Sequence, residues 1–120
     1  MMKKITFHFL FVLLIIISLS ACAPKADFDI RGTWEYTMTG DDGNQYDIGT
    51  ISFDGSDAKG NYTQLNIYDV EYIGEYTVSG SELKLSGYEN WQGTMSSMNN
   101  MSGTWQHDDG AQGTFEASRK

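Results

Sequence analysis

The sequence has one cysteine, Cys22, and one proline, Pro24, among its 120 residues. A single cysteine cannot form an intrachain disulfide, so the fold must be stabilised by its own core. Basic residues are also few, eight against sixteen acidic ones, and this balance disfavours binding to the phosphates of nucleic acids. Beyond residue 30 the chain has hardly any helical periodicity, which favours an all-β domain.

The first 21 residues have the pattern of an export signal. Lys3 and Lys4 supply a positive region, and an apolar run over residues 5–19 follows them. This run is too short for a good membrane span but suits the apolar core of a signal peptide. The tetrapeptide LSAC closes the segment at Cys22 and resembles the lipobox of bacterial lipoproteins.

The lipobox resemblance implies that Cys22 is lipidated and becomes the first residue of the mature protein. Two acyl chains, with each methylene adding about 0.8 kcal/mol of membrane affinity, would anchor the protein stably in a lipid bilayer. We therefore expect a signal peptide over 1–21, a lipidated tether over 22–29 and a folded domain over 30–120. The expected location is the bacterial cell envelope. If the cell has an outer membrane, Ala23 after the cysteine is compatible with sorting to it.

The folded domain consists of short alternating runs separated by clusters of Gly, Asp, Asn and Ser, which predicts about eight strands. A unit of glycine, any residue and a large apolar residue recurs, so each glycine shares a face with its apolar partner. We expect an antiparallel up-and-down barrel, closed so that no edge is exposed, and keep a two-sheet sandwich as the alternative. The predicted strands lie near residues 31–38, 46–53, 59–65, 70–78, 82–88, 91–97, 101–107 and 112–119.

Turn residues near Gly55, Gly80 and Gly110 predict the registers of three hairpins. In these registers large side chains lie over glycines of neighbouring strands, which covers the glycines and lets the sheet curl. The predicted pairs are Val78 with Leu83, Tyr76 with Leu85, Trp105 with Gly113, Gly103 with Phe115, Phe53 with Gly60 and Ile51 with Tyr62.

The first strand begins with Gly32, Thr33 and Trp34, which resembles the Gly-x-Trp signature of the lipocalins and their calycin relatives. The resemblance is greatest to small bacterial lipocalin-like lipoproteins, and it rests on these short motifs and the eight-strand rhythm. It implies a basic residue near the last strand that packs across Trp34 and closes the barrel. Arg119 matches that residue, since it has the parity of Phe115; the alternative is a solvated basic tail.

Signatures of catalysis and metal binding are sparse. His107, the one histidine after the signal peptide, precedes a turn and is expected at the surface. Met95, Met98 and Met101 suggest either a copper(I) site or core filler. A two-residue turn would put Met98 and Met101 on one face, whereas a three-residue loop would put Met95 and Met101 inside. Neither arrangement gathers all three methionines, so we expect no metal site. No Ser–His–acid arrangement can be built and no free cysteine remains as a nucleophile, so we also expect no enzyme activity, and we expect no cofactor.

Inward aromatic side chains define the candidate ligand site. We expect a small apolar or amphipathic ligand at one barrel mouth, although a packed core is the alternative because such a barrel is narrow. The competing function is a protein-interaction module, either an envelope inhibitor or an assembly accessory, with residues 86–88 as a faint candidate loop. The oligomeric state stays open. The expected ligand-binding residues are Trp34, Tyr36, Tyr62, Tyr76 and Trp105.

The anchor prediction is tested by Cys22→Ser. This substitution should abolish lipidation and move the protein out of the membrane fraction, because the acyl chains are carried by the cysteine. Cell fractionation and intact-mass analysis measure both effects. An unlipidated N-terminus in the wild-type protein would contradict the prediction.

Overall fold

A computed structural model describes residues 25–120, and the predicted signal peptide and Cys22 lie outside the described residues. The strand prediction is confirmed, with bounds that differ by a few residues. No helix within 25–120 is long and apolar enough to cross a membrane. The strands are β1 (Gly32–Gly40), β2 (Gln45–Gly55), β3 (Lys59–Asn66), β4 (Glu71–Ser79), β5 (Glu82–Ser86), β6 (Glu89–Ser97), β7 (Asn100–His107) and β8 (Gln112–Arg119).

The eight strands form a closed antiparallel barrel in sequence order. Each strand pairs with the next along the chain, and β1 also pairs with β8 over Trp34–Gly40. Closure leaves no strand with an unpaired edge, which is how an all-β domain avoids edge-to-edge association. The predicted up-and-down barrel is confirmed, and the closure excludes the two-sheet sandwich.

The registers predicted around Gly80 and Gly110 are confirmed. Both hairpins keep large apolar residues and glycines on the inner face, so every pair has the expected side. The observed pairs are Val78 with Leu83, Tyr76 with Leu85, Trp105 with Gly113 and Gly103 with Phe115.

The register predicted between β2 and β3 is wrong by two residues. Gly55 was placed in the turn, but it ends β2 and the ladder continues through it. Ser56 builds the turn beyond: its amide donates to the carbonyl of Lys59 (2.8 Å) and its hydroxyl accepts from the Lys59 amide (3.1 Å). Because strand side chains alternate between the two faces, a register shift of two residues leaves the same side chains on the inner face. The observed pairs are Phe53 with Tyr62, Ile51 with Gln64 and Gly55 with Gly60.

Aromatic rings cover glycines on the inner face, as the repeated unit predicted. A Cβ atom added at Gly74 would lie 2.5 Å from the ring of Tyr62, and one added at Gly93 would lie 2.7 Å from the ring of Phe115. Gly113 differs, because its nearest neighbours are the carbonyl of Thr39 and the backbone of β1 rather than an indole ring. Glycine there lets two strands approach closely at a bend of the barrel.

Gly113→Val should destabilise the fold, because its Cβ would overlap the Thr39 carbonyl and force β1 away from β8. Overpacking of this kind typically costs about 1–3 kcal/mol. Urea unfolding measures the loss, with Thr114→Val as the control, since Thr114 is exposed on the outer face of the same strand. Equal midpoints for the two variants would contradict the close approach.

Candidate functional site

The two ends of the barrel differ in how they are closed. We call the end where β1, β3, β5 and β7 begin the Arg119 end, and the end where they finish the Glu89 end. The chain before β1 crosses the Arg119 end, where Ala26 forms a bridge with Gly80. Ile30 is fully buried there, and its carbonyl accepts the indole N–H of Trp34 (2.9 Å).

Arg119 completes this closure. Its guanidinium carbon lies 4.4 Å from the ring centroid of Trp34, within range of a cation–π interaction. Its nitrogens donate to the carbonyls of Asp29 (2.6 Å), Arg31 (2.7 Å) and Met98 (2.9 Å). The side chain therefore ties the first strand, the last strand and two flanking segments together, which differs from a solvated basic tail.

The Glu89 end contains a chain of polar side chains inside the barrel. The amide of Gln64 donates to the hydroxyl of Tyr36 (3.1 Å), and that hydroxyl donates to a carboxylate oxygen of Asp47 (3.0 Å). Gln64 is 1% exposed, so its amide needs such a partner. These three residues form a satisfied hydrogen-bond network.

Glu89 and Trp91 lie beside this network with polar atoms that have no protein partner. Glu89 is 2% exposed, and its Oε2 accepts no hydrogen bond from the described residues. The indole N–H of Trp91 donates none to them either. A buried acceptor and a buried donor left unpaired each cost roughly 1–3 kcal/mol. Such a pair calls for a functional explanation.

Burial is the main electrostatic influence on Glu89. It raises the pKa of this carboxyl to about 7, repulsion by Asp47 adds to the rise, and His107 opposes it. Burial also raises the pKa of Tyr62 to about 12, with the charge of Glu89 as a second cause. The interior at this end is therefore a poor place for an uncompensated negative charge.

Partly exposed aromatic side chains rim the Glu89 end. Tyr46 stacks on Trp105 with ring centroids 4.2 Å apart. Tyr88 stacks on Tyr72 (4.5 Å) and meets the ring of His107 edge-on (4.5 Å). Tyr46 is 42% and Tyr88 49% exposed, so solvent reaches both rings.

Two irregularities put these rings in place. The register of β1 with β2 shifts after Met38, which leaves Tyr46 as an extra residue between Asp47 and Gln45. Such a bulge re-aims a side chain, and here the ring lies on the buried Trp105. Tyr88 belongs to the two-residue link between β5 and β6, which the predicted loop at 86–88 had included.

The five predicted ligand-binding aromatic residues do not lie at one end. Tyr36, Tyr62 and Trp105 lie toward the Glu89 end. Trp34 lies under Arg119, and Tyr76 also faces the Arg119 end, where its hydroxyl donates to the carbonyl of Ser56. Three of the predicted ligand-binding residues therefore lie at the Glu89 end and two at the Arg119 end.

The sequence analysis did not identify three polar residues of the Glu89 end as part of the site, although the strand parity of two of them indicated that they face inward. Glu89 has the parity of Trp91, and Gln64 has the parity of Tyr62, so both are polar residues in an inward phase. His107 was expected at the surface, but its side chain is only 16% exposed. It ends β7 on the inner face and pairs with Glu89 across the ladder, which explains its burial.

The methionines have the arrangement in which Met95 and Met101 lie inside the barrel. Met95 and Met101 pair on adjacent strands inside the barrel, and Met98 is exposed in the turn. A bulge between Met95 and Ser97 makes this compatible with a short turn. Among the described residues, no group of three His, Cys, Asp or Glu side chains could hold a metal ion.

Buried side chains fill the inner face, and grooves occur on the outside. A groove of about 530 Å³ crosses β5 to β8 and is lined by outward polar residues such as Lys84, Gln92 and Thr104. A second one, of about 350 Å³, adjoins Tyr46 and Trp105 at the rim. A ligand that reaches Glu89 must therefore displace rim side chains, of which Tyr88 is the most exposed.

Comparison with known proteins shows the fold. A redesigned β-barrel is similar with a TM-score of 0.61 and 20% identity, over 76% of this chain and 91% of that one. The redesigned barrel mFAP0, solved bound to DFHBI, has a TM-score of 0.58 and 21% identity, over 75% and 98%. The related barrel mFAP1, also bound to DFHBI, has a TM-score of 0.59. No family model and no curated protein matches the sequence.

The raised pKa of Glu89 predicts a pH-dependent stability. The unfolded chain loses this proton near pH 4.5 and the folded chain near pH 7, so the folded state binds more protons in between. The free energy of unfolding should fall across that window by up to about 3 kcal/mol and then level off.

Glu89→Gln should remove this fall and make the protein more stable than the wild type above neutral pH. Urea unfolding at about pH 5 and about pH 8 measures the difference. Glu82→Gln is the matched control, because Glu82 is exposed. Equal pH dependence in the wild type and the Glu89→Gln variant would contradict the assignment.

Proposed function

We propose that this protein is a lipid-anchored lipoprotein of the bacterial envelope, whose barrel binds a small amphipathic ligand at the Glu89 end without catalysis. The observation that carries the proposal is that two buried polar atoms on the inner face of β6, Oε2 of Glu89 and the indole N–H of Trp91, have no partner among the described residues. A polar group of a ligand would supply the missing partner of Glu89, and the aromatic rim offers apolar contact area for the rest of the ligand.

The closed Arg119 end supports the same choice of site. Asp29, Ile30 and Arg119 occupy that end with hydrogen bonds that a ligand would have to break. The Glu89 end, in contrast, is covered by rings that are held by stacking and partly exposed. Binding there costs less rearrangement.

The position of the tether fits an anchored binder. The carbonyl of Lys25 accepts from the amide of Gly80 (2.6 Å) at the Arg119 end, three residues after Cys22. Three residues span at most about 10 Å. A lipid on Cys22 would hold the Arg119 end near the membrane and direct the Glu89 end away from it.

A protein-interaction module is the second candidate, favoured by one surface feature. The hairpin of β3 and β4 exposes several large apolar side chains on its outer face and in its loop. They are Leu65, Ile67, Tyr68, Val70 and Ile73, between 40% and 78% exposed.

Tryptophan fluorescence of the lipid-free Cys22→Ser protein distinguishes the two functions. Titration with fatty acids, sterol-like and quinone-like compounds should give saturable quenching, because Trp91 and Trp105 lie at the Glu89 end. Trp91→Phe should lose part of the signal, whereas Trp34→Phe should retain the response.

Tyr88→Ala should weaken binding several-fold, since Tyr88 covers the site through stacking on Tyr72. Tyr68→Ala is the control, because Tyr68 is an exposed loop tyrosine. A flat response across the whole panel would contradict the binding function and favour the interaction module.

A further inference from the structure

The carboxylate of Glu89 has no lysine or arginine partner among the residues that the structure describes, and His107 is the one described base that acts on it. The described cations lie on the outer face, as Lys84 does, or at the Arg119 end, as Arg31 and Arg119 do. The remaining three, Lys25, Lys59 and Lys120, are exposed and likewise belong to the Arg119 end.

The titratable groups around Glu89 are mostly acids and phenols. Asp47 on β2 is close enough to repel it, and His107 on β7 is the one base that acts on it. The other titratable groups near Glu89 are phenols, and each is neutral when protonated. They are Tyr36 on β1, Tyr62 on β3, Tyr72 on β4, Tyr46 on the bulge and Tyr88 on the link. Acids and neutral phenols therefore dominate the site, and the one described base, His107, lies with its Nδ1 3.0 Å from a carboxylate oxygen of Asp109.

Aromatic faces complete the environment. Tyr36 meets Trp91 in an edge-to-face arrangement with centroids 5.5 Å apart, and the two stacked pairs lie above. The face of an aromatic ring attracts a cation, and the attraction grows when the cation is removed from water. A buried carboxylate among aromatic faces is the chemistry that recognises a protonated amine.

We infer that the Glu89 end binds a small organic amine in its ammonium form, with Oε2 of Glu89 accepting a hydrogen bond from the charged nitrogen. This inference rests on the proposed function, because it names the chemical class of the ligand. Tyr46, Tyr72 and Tyr88 cover the apolar part of the amine. Tyr88 must swing outward to admit it, and its place in a two-residue link allows that movement.

Other ligand charges fit less well. An anion would meet Glu89 and Asp47, in a chain whose formal net charge is −8. A neutral alcohol could donate a hydrogen bond to Oε2 of Glu89, but it would leave the carboxylate charge uncompensated. Only a cation supplies both the hydrogen bond and the charge that burial of Glu89 demands.

Binding of an ammonium group should release a proton near neutral pH. The pKa of Glu89 is about 7 in the free protein, so roughly half of the molecules carry the proton there. A bound cation favours the carboxylate and expels it. Amine affinity should accordingly fall about tenfold for each pH unit below neutrality.

Calorimetry with three matched probes tests the inference. They are 2-phenylethylamine, 2-phenylethanol and 3-phenylpropionate, which share a phenyl group and differ in charge. The protein is the Cys22→Ser chain, which retains all eight strands because the barrel closes within residues 32–119. We expect the amine to bind at least tenfold more tightly than the alcohol, and the propionate to bind more weakly than either.

Glu89→Gln should reduce amine affinity at least tenfold, and Glu82→Gln should leave it unchanged. If the Glu89→Gln variant fails to fold, proton release by the protein with Glu89 intact still tests the inference. Amine heats measured near neutral pH in phosphate and in HEPES buffers must then differ by the difference between the ionisation enthalpies of the two buffers, scaled by the roughly half a proton that each binding event releases. Heats that agree between the two buffers would overturn the inference.

The outcomes for the proposed function are separate. If the alcohol or the propionate binds as tightly as the amine, the binding function stands and the amine inference is wrong. The same conclusion follows if none of the three probes binds while a fatty acid, sterol-like or quinone-like compound does. If nothing binds in either experiment, the proposed function fails as well.

Discussion

Pairing of β1 with β8 is the constraint on which the rest of this structure depends. The ladder runs from the pair of Trp34 with Arg119 to the pair of Gly40 with Gly113, and it turns an open meander into a barrel with an inside. Without it both strands would be free edges, and the aromatic faces would have no common interior. The two terminal pairs are held in different ways. A cation–π contact joins Trp34 and Arg119, whereas the absence of side chains lets the backbones of Gly40 and Gly113 approach closely.

Closure with eight strands makes the interior narrow, and that narrowness explains the polar groups within it. Large rings fill the width only where glycines give them room, as Tyr62 does over Gly74. Any polar atom caught inside must find a partner among few neighbours. Gln64 finds one through Tyr36, whereas Glu89 does not. The buried carboxyl of Glu89, which lacks a hydrogen-bond partner on Oε2 among the described residues, therefore lies at one end of the barrel.

The two ends of the barrel differ in what covers them. At the Arg119 end the incoming chain crosses the opening, and backbone carbonyls of three residues accept hydrogen bonds from the guanidinium. At the Glu89 end no segment of residues 25–120 crosses the opening, and stacked rings provide the cover. Hydrogen bonds to a charged group are stronger than ring stacking at a solvent-exposed rim, so the cover of the Glu89 end is the more weakly held of the two.

The sequence by itself determined the strands, their order and which residues face inward, because alternation and turn chemistry are local properties. Even the inward phase of Glu89 beside Trp91 is readable from parity. The β2–β3 offset escaped prediction because Ser56 and Gly55 could each have made the turn, and hydrogen bonds to Lys59 decided between them.

The candidate site was decided by tertiary structure. Parity assigns Trp34, Tyr36 and Tyr76 to one face but does not say which end of the barrel each reaches, since that depends on strand stagger around a closed sheet. The bulge that carries Tyr46 onto Trp105 has no local sequence signature. That no described lysine or arginine pairs with Glu89 depends on where these distant residues come to lie, and only closure of the barrel settles it.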